Sequence, residues 1–157
     1  MIEQIYTYFT IEMIFMWLNL GVLPFWFVLI IFPQSQICRV FITSIFPIFI
    51  LSLAYGYLLH LFFNEGYDFV KNFELYLGLD DVSNLFTDKS FIILFWLHFL
   101  AMNLFCGGWI VKDSQKFGIN KVLMSFPLLI TYFIGPIGLT LYWIIRIFYA
   151  KRINLYD

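Results

Sequence analysis

Residues 96–113 read WLHFLAMNLFCGGWIVKD, and this stretch decides the fold class of the chain. Nearly every residue before Lys112 is apolar, which is typical of a helix that crosses a bilayer. Only His98 and Asn103 interrupt the run near its middle. Because polar side chains are costly in hydrocarbon, these two residues are predicted to belong to a functional site.

The composition of the whole chain is that of a membrane protein. Of its residues, 62% are hydrophobic and only 12% are charged, whereas soluble domains average about 25% charged residues. The net charge of −1 offers no basic surface, so no nucleic-acid partner is expected. Cys38 and Cys106 have no ligand-like spacing and are interpreted as unpaired apolar residues; no metal or other cofactor is expected.

Four apolar stretches predict four transmembrane helices in a single domain that covers residues 1–157. Short polar turns join the first pair and the last pair, so each pair is predicted to form an antiparallel hairpin. Prolines inside the stretches predict kinks. The stretches are residues 11–32, 40–63, 91–111 and 122–149. The predicted fold class is therefore an all-α integral membrane protein.

An acidic segment, residues 64–89, separates the second and third stretches. Phe69, Phe73 and Leu77 recur in it at helical spacing before Gly78, which predicts a short amphipathic helix in the membrane interface. Four spans would place this segment and both termini on one side, with five Lys and Arg residues against four on the other. Because these two counts are nearly equal, they do not indicate which side of the membrane faces the cytoplasm.

The N-terminal region shows no cleavable signal or transit peptide, because no basic segment precedes the first apolar stretch. The sequence therefore predicts a bacterial inner membrane or an organellar, plastid-type membrane as the location.

Polar candidates for a site occur in three of the four stretches. His98 and Asn103 are the catalytic candidates, although they lie about 140° apart around their helix. A purely structural hydrogen bond at His98 is the alternative. In the fourth stretch, Gly135 and Gly138 are predicted to let another backbone approach closely. The predicted ligand-binding residues are Trp96, Glu12, Asn19, Trp26, Thr131 and Tyr142.

Three long segments carry a family likeness. They read NLGVLPFWFVLIIFP (residues 19–33), LFTDKSFIILFWLHFLAMNLFCGGWIVKD (85–113) and FPLLITYFIGPIGLTLYWIIR (126–146). The sharpest elements are Trp-x-His in the second segment and Gly-Pro-x-Gly-Leu in the third. With these motifs the chain resembles the abscisic-acid-deficient-4 family of four-helix membrane proteins, implicated in neoxanthin synthesis. That family usually carries Asp at the position of Asn103.

The resemblance implies a role in carotenoid or isoprenoid metabolism, through isomerisation of an epoxy-xanthophyll end group to an allene. Such a reaction requires an acid near the epoxide oxygen and a base for a ring-adjacent proton, and it requires no cofactor. One hypothesis is therefore a membrane-embedded isomerase or modifier of a carotenoid or other isoprenoid lipid.

Two other hypotheses remain open at this stage. One is a non-catalytic protein that binds a pigment or lipid, or that supports the assembly of a membrane complex. The other is a transporter. The expected partner is a membrane lipid or a carotenoid or other isoprenoid ligand, and a homo-oligomer or a larger membrane complex is a further expectation.

Overall fold

Helices form the regular structure of this protein, for which a computed structural model describes residues 10–151 and 153–154. In chain order they are α1 (Ile11–Ile31), a π-helical turn (Cys38–Ile42), α2 (Phe46–Asn64), a 3-10 helix (Phe69–Tyr76), α3 (Leu79–Leu85), α4 (Lys89–Lys116), α5 (Lys121–Phe133) and α6 (Gly135–Ala150). Within these described residues there is no strand, so the predicted all-α class is confirmed.

Three of the helices are long and apolar enough to cross a membrane. They are α1, α2 and α4, with 21, 19 and 28 residues. At 1.5 Å per residue, each is close to or longer than the ~30 Å thickness of the hydrocarbon core. Large apolar side chains such as Trp17, Phe27 and Phe49 are more than half exposed on them. Lipid would cover such surface, so length, composition and exposure all support membrane association.

The long helix of the second apolar stretch begins later in the sequence than predicted. The π-helical turn comes first, and α2 starts only at Phe46. Between them the Ser44 hydroxyl donates to the Phe41 carbonyl and accepts the N–H of Phe46. Pro47 is the second residue of α2, where its missing N–H removes no helical hydrogen bond. The kink predicted at Pro47 is therefore wrong, because this proline lies in the first turn of the helix.

The fourth apolar stretch departs furthest from its prediction, because it forms two helices and not one kinked helix. Ile134, with φ −140° and ψ 82°, separates α5 from α6. Beyond it, a Cβ added to Gly138 would lie 2.6 Å from the Thr131 Cα. In one continuous helix these residues would be about 10 Å apart along the axis. The chain therefore reverses direction at Ile134, and Pro136 lies in the first turn of the returning helix.

The described residues divide into two compact units. One contains residues 10–20 and 50–100, and the other contains residues 21–49 and 101–154. The helices α1, α2 and α4 each contribute residues to both units. The single domain expected from the sequence stays a prediction.

In the first unit, α1 and α4 run in the same direction. Lys89 at the start of α4 forms an ion pair with Glu12, with Nζ and Oε1 2.8 Å apart. One heptad further along both helices, Trp96 Nε1 donates to Asn19 Oδ1 at 3.1 Å. Both contacts join residues 77 positions apart, so the two helices pack in a constant parallel register. Asp88 caps α4 by accepting the N–H of Ser90.

The acidic segment of the first unit contains two short helices. The 3-10 helix begins at Asp68, whose side chain accepts the N–H of Val70, and α3 follows Gly78. Of the predicted apolar side, Phe73 and Leu77 are 70% and 75% exposed, whereas Phe69 is half-buried and its ring meets that of Tyr67 edge-on. An interfacial position of this segment stays a prediction.

In the second unit, α5 runs antiparallel to α4. At the end of α4 the Ser114 hydroxyl lies 2.7 Å from Met124 Sδ, near the start of α5. About three turns back along α4, Asn103 Nδ2 donates to the Tyr132 carbonyl at 3.4 Å, near the end of α5. The helix α5 therefore runs back along α4 as far as Asn103 and ends there.

The helix α6 then runs parallel to α4. Its first residue, Gly135, lies against the Asn103 side chain. Two turns further, the Tyr142 hydroxyl donates to Asp113 Oδ2 at 2.7 Å, and Arg146 pairs with the same carboxylate. The pair α5–α6 is thus a tight helical hairpin, with its tip at Asn103 and both of its outer ends near the end of α4.

Replacing Gly138 by alanine tests this hairpin. The new methyl group would collide with the Thr131 backbone, so the two helices must separate. We expect a loss of about 1–3 kcal/mol, measured as unfolding free energy in detergent. Gly56→Ala is the matched control, because nothing lies within 4 Å of its added Cβ. Equal stability of both variants would contradict the close approach of α5 and α6.

Cys38 provides a second test of packing, at the turn between α1 and α2. The residue is fully buried, and this burial raises the pKa of its thiol to about 11. Because the thiolate is the reactive form, a maleimide should modify folded Cys38 very slowly at pH 7, with the rate rising as the pH approaches 11. The unfolded chain should react near the ordinary thiol pKa of about 8.5. Rapid labelling of Cys38 in the folded protein at pH 7, measured in a chain without Cys106, would contradict the burial.

Candidate functional site

Asn103 is a buried polar residue near the middle of α4. It is 6% exposed, and its amide donates to the Tyr132 carbonyl at the end of α5. Pro136 lacks the N–H that would bond this carbonyl in a continuous helix, so the Asn103 amide takes that place. The Asn103 oxygen lies against Gly135, where any side chain would collide with it. Asn103 therefore holds the tip of the hairpin.

Aromatic rings form a wall beside this tip. Trp26 of α1 is 3% exposed, and its ring meets that of Tyr132 edge-on with centroids 5.4 Å apart. A Cβ added to Gly107 would lie 2.8 Å from the Trp26 ring, so this glycine provides the space for the indole. Thr131 is fully buried nearby, and its hydroxyl donates to the Pro127 carbonyl at 2.7 Å. Trp26 and Thr131, both predicted as ligand-binding residues, thus make contacts within the protein.

A buried ionic cluster lies at the end of α4. The Arg146 side chain is 1% exposed and the Asp113 side chain 10% exposed, with Arg146 Nε and Asp113 Oδ2 2.7 Å apart. Tyr142 donates to the same carboxylate oxygen, and Arg146 Nη1 donates to the Asn154 carbonyl at 2.9 Å. The Phe117 ring lies 4.8 Å from the guanidinium carbon. Every charge in the cluster therefore has an opposite charge or a hydrogen-bond partner.

Sequence reasoning placed Tyr142 in a site but missed Asp113 and Arg146. Arg146 enters the sequence analysis only in the count of Lys and Arg residues on each side of the membrane, and Asp113 has no predicted role. One signal was available: Tyr142 and Arg146 are four residues apart, so they share a helix face and can reach a single acid.

His98 lies in the first unit and differs from Asn103 in its exposure and in its hydrogen bonding. Its side chain is exposed, and it makes no hydrogen bond or ion pair with any described residue. Phe95 and Met102, on the same face of α4, are exposed as well. His98 is the tenth residue of α4, which places it about 14 Å along the helix axis from Lys89. A molecule outside the described chain therefore has access to it.

The remaining predicted residues belong to two contacts of the first unit. Trp96 donates to Asn19, whose own amide donates to the Phe15 carbonyl, so this pair is satisfied within the protein. Glu12 pairs with Lys89 on the surface, where their side chains are 66% and 72% exposed. Trp96 and Asn19 thus contact each other, and Glu12 forms an ion pair with Lys89.

An open groove of about 250 Å³ lies in the second unit. Thr43, Pro47 and Ile48 line one side, and Phe105, Trp109 and Lys112 of α4 line the other. The wall is apolar apart from Thr43, Ser44 and Lys112. The volume suits one end group or one chain segment of a lipid, and it is below the range of pockets that enclose a whole drug-sized molecule.

Among the described residues, no three histidine, cysteine or carboxylate side chains lie close enough together to hold a metal ion. The contacts described above are therefore hydrogen bonds, ion pairs and apolar packing.

The fold and these contacts define a helical protein with three potential membrane spans and a hairpin of two half-length helices. Its residues 13–142 match the family described as ABA DEFICIENT 4-like, and the chain belongs to this ABA4-like family. The chloroplastic protein ABA DEFICIENT 4 of Arabidopsis thaliana is 22% identical over 129 residues, which cover 80% of this chain and 57% of that protein. The chain thus spans little more than half the length of this relative. No solved structure matches it significantly.

The buried ion pair yields a prediction with an internal control. Arg146→Met should lower the unfolding free energy by about 3–5 kcal/mol, because it leaves the Asp113 carboxylate buried without its cation. Adding Asp113→Asn should restore part of the loss. Lys89→Met breaks the exposed pair with Glu12 and should leave the melting temperature in detergent unchanged. If Arg146→Met melts like the parent protein, the buried pair does not form.

Proposed function

We propose that this chain is a membrane-embedded protein that binds a carotenoid or other isoprenoid lipid and isomerises it, with His98 as the proton-transfer group. Membership of the ABA4-like family supports the class of substrate. The observation that carries the proposal is the position of His98, which is exposed along a helix of spanning length without a described partner.

Placing the polar side chain of His98 in hydrocarbon costs free energy. An imidazole inside the bilayer needs a hydrogen-bond partner, and the described residues supply none. The buried Asn103 and the half-buried Trp96 have hydrogen-bond partners within the protein. A lipid-soluble molecule with an oxygen atom that diffuses along the bilayer would provide the missing partner for His98.

A single imidazole can carry out both proton transfers of this isomerisation. Its neutral form accepts a proton from a carbon next to an epoxide, and its protonated form returns a proton to the oxygen that leaves the ring. The C–O and C–H bonds break, while an O–H bond and a new carbon–carbon double bond form. Substrate and product are isomers, so no co-reactant is consumed. The catalytic role of Asn103 stays a prediction, since its amide offers hydrogen bonds only.

A second candidate is a non-catalytic pigment- or lipid-binding protein, or an assembly protein of a membrane complex. It is favoured by the exposed apolar face of α4 around His98, formed by Ile92, Phe95, Met102 and Phe105. Such a face suits a flat polyene or a helix of another protein, and His98 would then form a structural hydrogen bond.

The test is pigment and lipid analysis of a strain that lacks the gene, complemented with variants of the chain. The parent protein should restore the missing compound. His98→Gln should fold and accumulate normally while product formation falls roughly 100-fold, because an amide transfers no proton near neutral pH. Met102→Leu, on the same exposed face, should retain activity.

Two outcomes would contradict the enzymatic proposal. Full product formation by folded His98→Gln would favour the binding or assembly function. Identical pigments and lipids in the deletion and parent strains would remove the isoprenoid assignment altogether.

A further inference from the structure

The depth of the hairpin tip follows from its contact with α4. Asn103 is near the centre of α4, with 14 residues before it and 13 after it in that helix. At 1.5 Å per residue, each end of α4 is about 20 Å away. If α4 crosses the bilayer, the tip of the hairpin that touches Asn103 lies near the middle of the hydrocarbon.

The two helices of the hairpin are each too short to cross alone. With 13 and 16 residues they measure roughly 20 Å and 24 Å, against about 30 Å of hydrocarbon. We infer that α5 and α6 form a re-entrant hairpin, which enters the bilayer to mid-depth and returns to the side from which it came. The chain then crosses the membrane three times, and the end of α6 lies on the same side as the end of α4.

The ion pair of Arg146 provides an independent argument. A continuous helix starting at Lys121 would carry Arg146 roughly 37 Å away, to the opposite side of the membrane from Asp113. The two side chains are instead 2.7 Å apart. Only a returning α6 permits this contact.

The backbone at the tip meets the condition for irregular structure inside a membrane. Such backbone is tolerated where it is buried in protein and its polar groups are bonded. Gly135 is buried, the Tyr132 carbonyl accepts from Asn103, and the Ile134 N–H donates to the Ile130 carbonyl at 2.7 Å.

The new topology also assigns the orientation. Among the described residues, four spans would place four Lys and Arg residues on each side, but the returning hairpin moves Arg146 and Lys151. Six of these described residues then lie on the side where α4 ends, and Lys71 and Lys89 remain on the other side. The six are Arg39, Lys112, Lys116, Lys121, Arg146 and Lys151. Because loops rich in Lys and Arg stay on the side of insertion, this side faces the cytoplasm of an expressing bacterial cell.

The test uses single cysteines in a chain without Cys38 and Cys106. Lys121→Cys reports on the turn before α5, Ile153→Cys on the segment after α6, and Asp80→Cys on the loop before α4. All three replaced side chains are exposed. A membrane-impermeant maleimide is applied to intact bacterial cells and to inverted membrane vesicles, and only variants with the parent melting temperature are compared.

We expect Lys121→Cys and Ile153→Cys to label only in inverted vesicles, and Asp80→Cys only in intact cells. Each cysteine should label fully after denaturation. Labelling of Ile153→Cys together with Asp80→Cys would establish a continuous fourth span and overturn the re-entrant hairpin. Labelling of both Lys121→Cys and Ile153→Cys in intact cells would overturn the orientation. None of these results depends on the proposed enzymatic activity.

Discussion

The buried ion pair between Asp113 and Arg146 is the constraint on which the second unit depends. An unpaired guanidinium in an apolar environment costs several kcal/mol, so Arg146 requires an acid within reach. Asp113 lies near the end of α4, and α6 reaches it only by returning along α4. The return requires the interruption at Ile134, and the close contact of the two helices requires glycine at position 138. This one electrostatic contact thus requires the returning path that residues 134–150 follow.

The helices themselves were predictable from the sequence, because a bilayer requires long apolar segments. The three long helices occupy the first three predicted stretches, with shifts at their ends. The division of the fourth stretch was not predictable in the same way. Residues 122–149 have the hydropathy of a continuous span, and hydropathy contains no information on direction. Pro136 was read as a kink because a proline inside a span and a proline in the first turn of a new helix look identical locally. Only contacts between residues distant in sequence, such as Arg146 with Asp113, distinguish them.

The candidate site was predictable in part, for a related reason. The cost of polar groups in lipid identifies His98 and Asn103, but it does not say whether a partner comes from the protein or from another molecule. The structure gives Asn103 a partner in the Tyr132 carbonyl and leaves His98 exposed. Trp96 and Asn19 meet because they occupy the same heptad position of two parallel helices, which the sequence allowed but did not require.

The difference between these two polar residues of α4 supports different roles for them. Asn103 is confined by Gly135 and bonded to a carbonyl, so a substrate would have to displace a contact that holds the hairpin together. Its amide donates to that carbonyl at any pH, whereas an aspartate at this position could do so only in its protonated form. The asparagine of this chain is therefore well suited to fixing the hairpin and poorly suited to moving protons. His98 has the opposite properties: an imidazole can both accept and donate a proton, and this side chain makes no hydrogen bond or ion pair with a described residue that a reaction would break. We therefore propose His98, and not Asn103, as the group that transfers a proton to a lipid-soluble substrate.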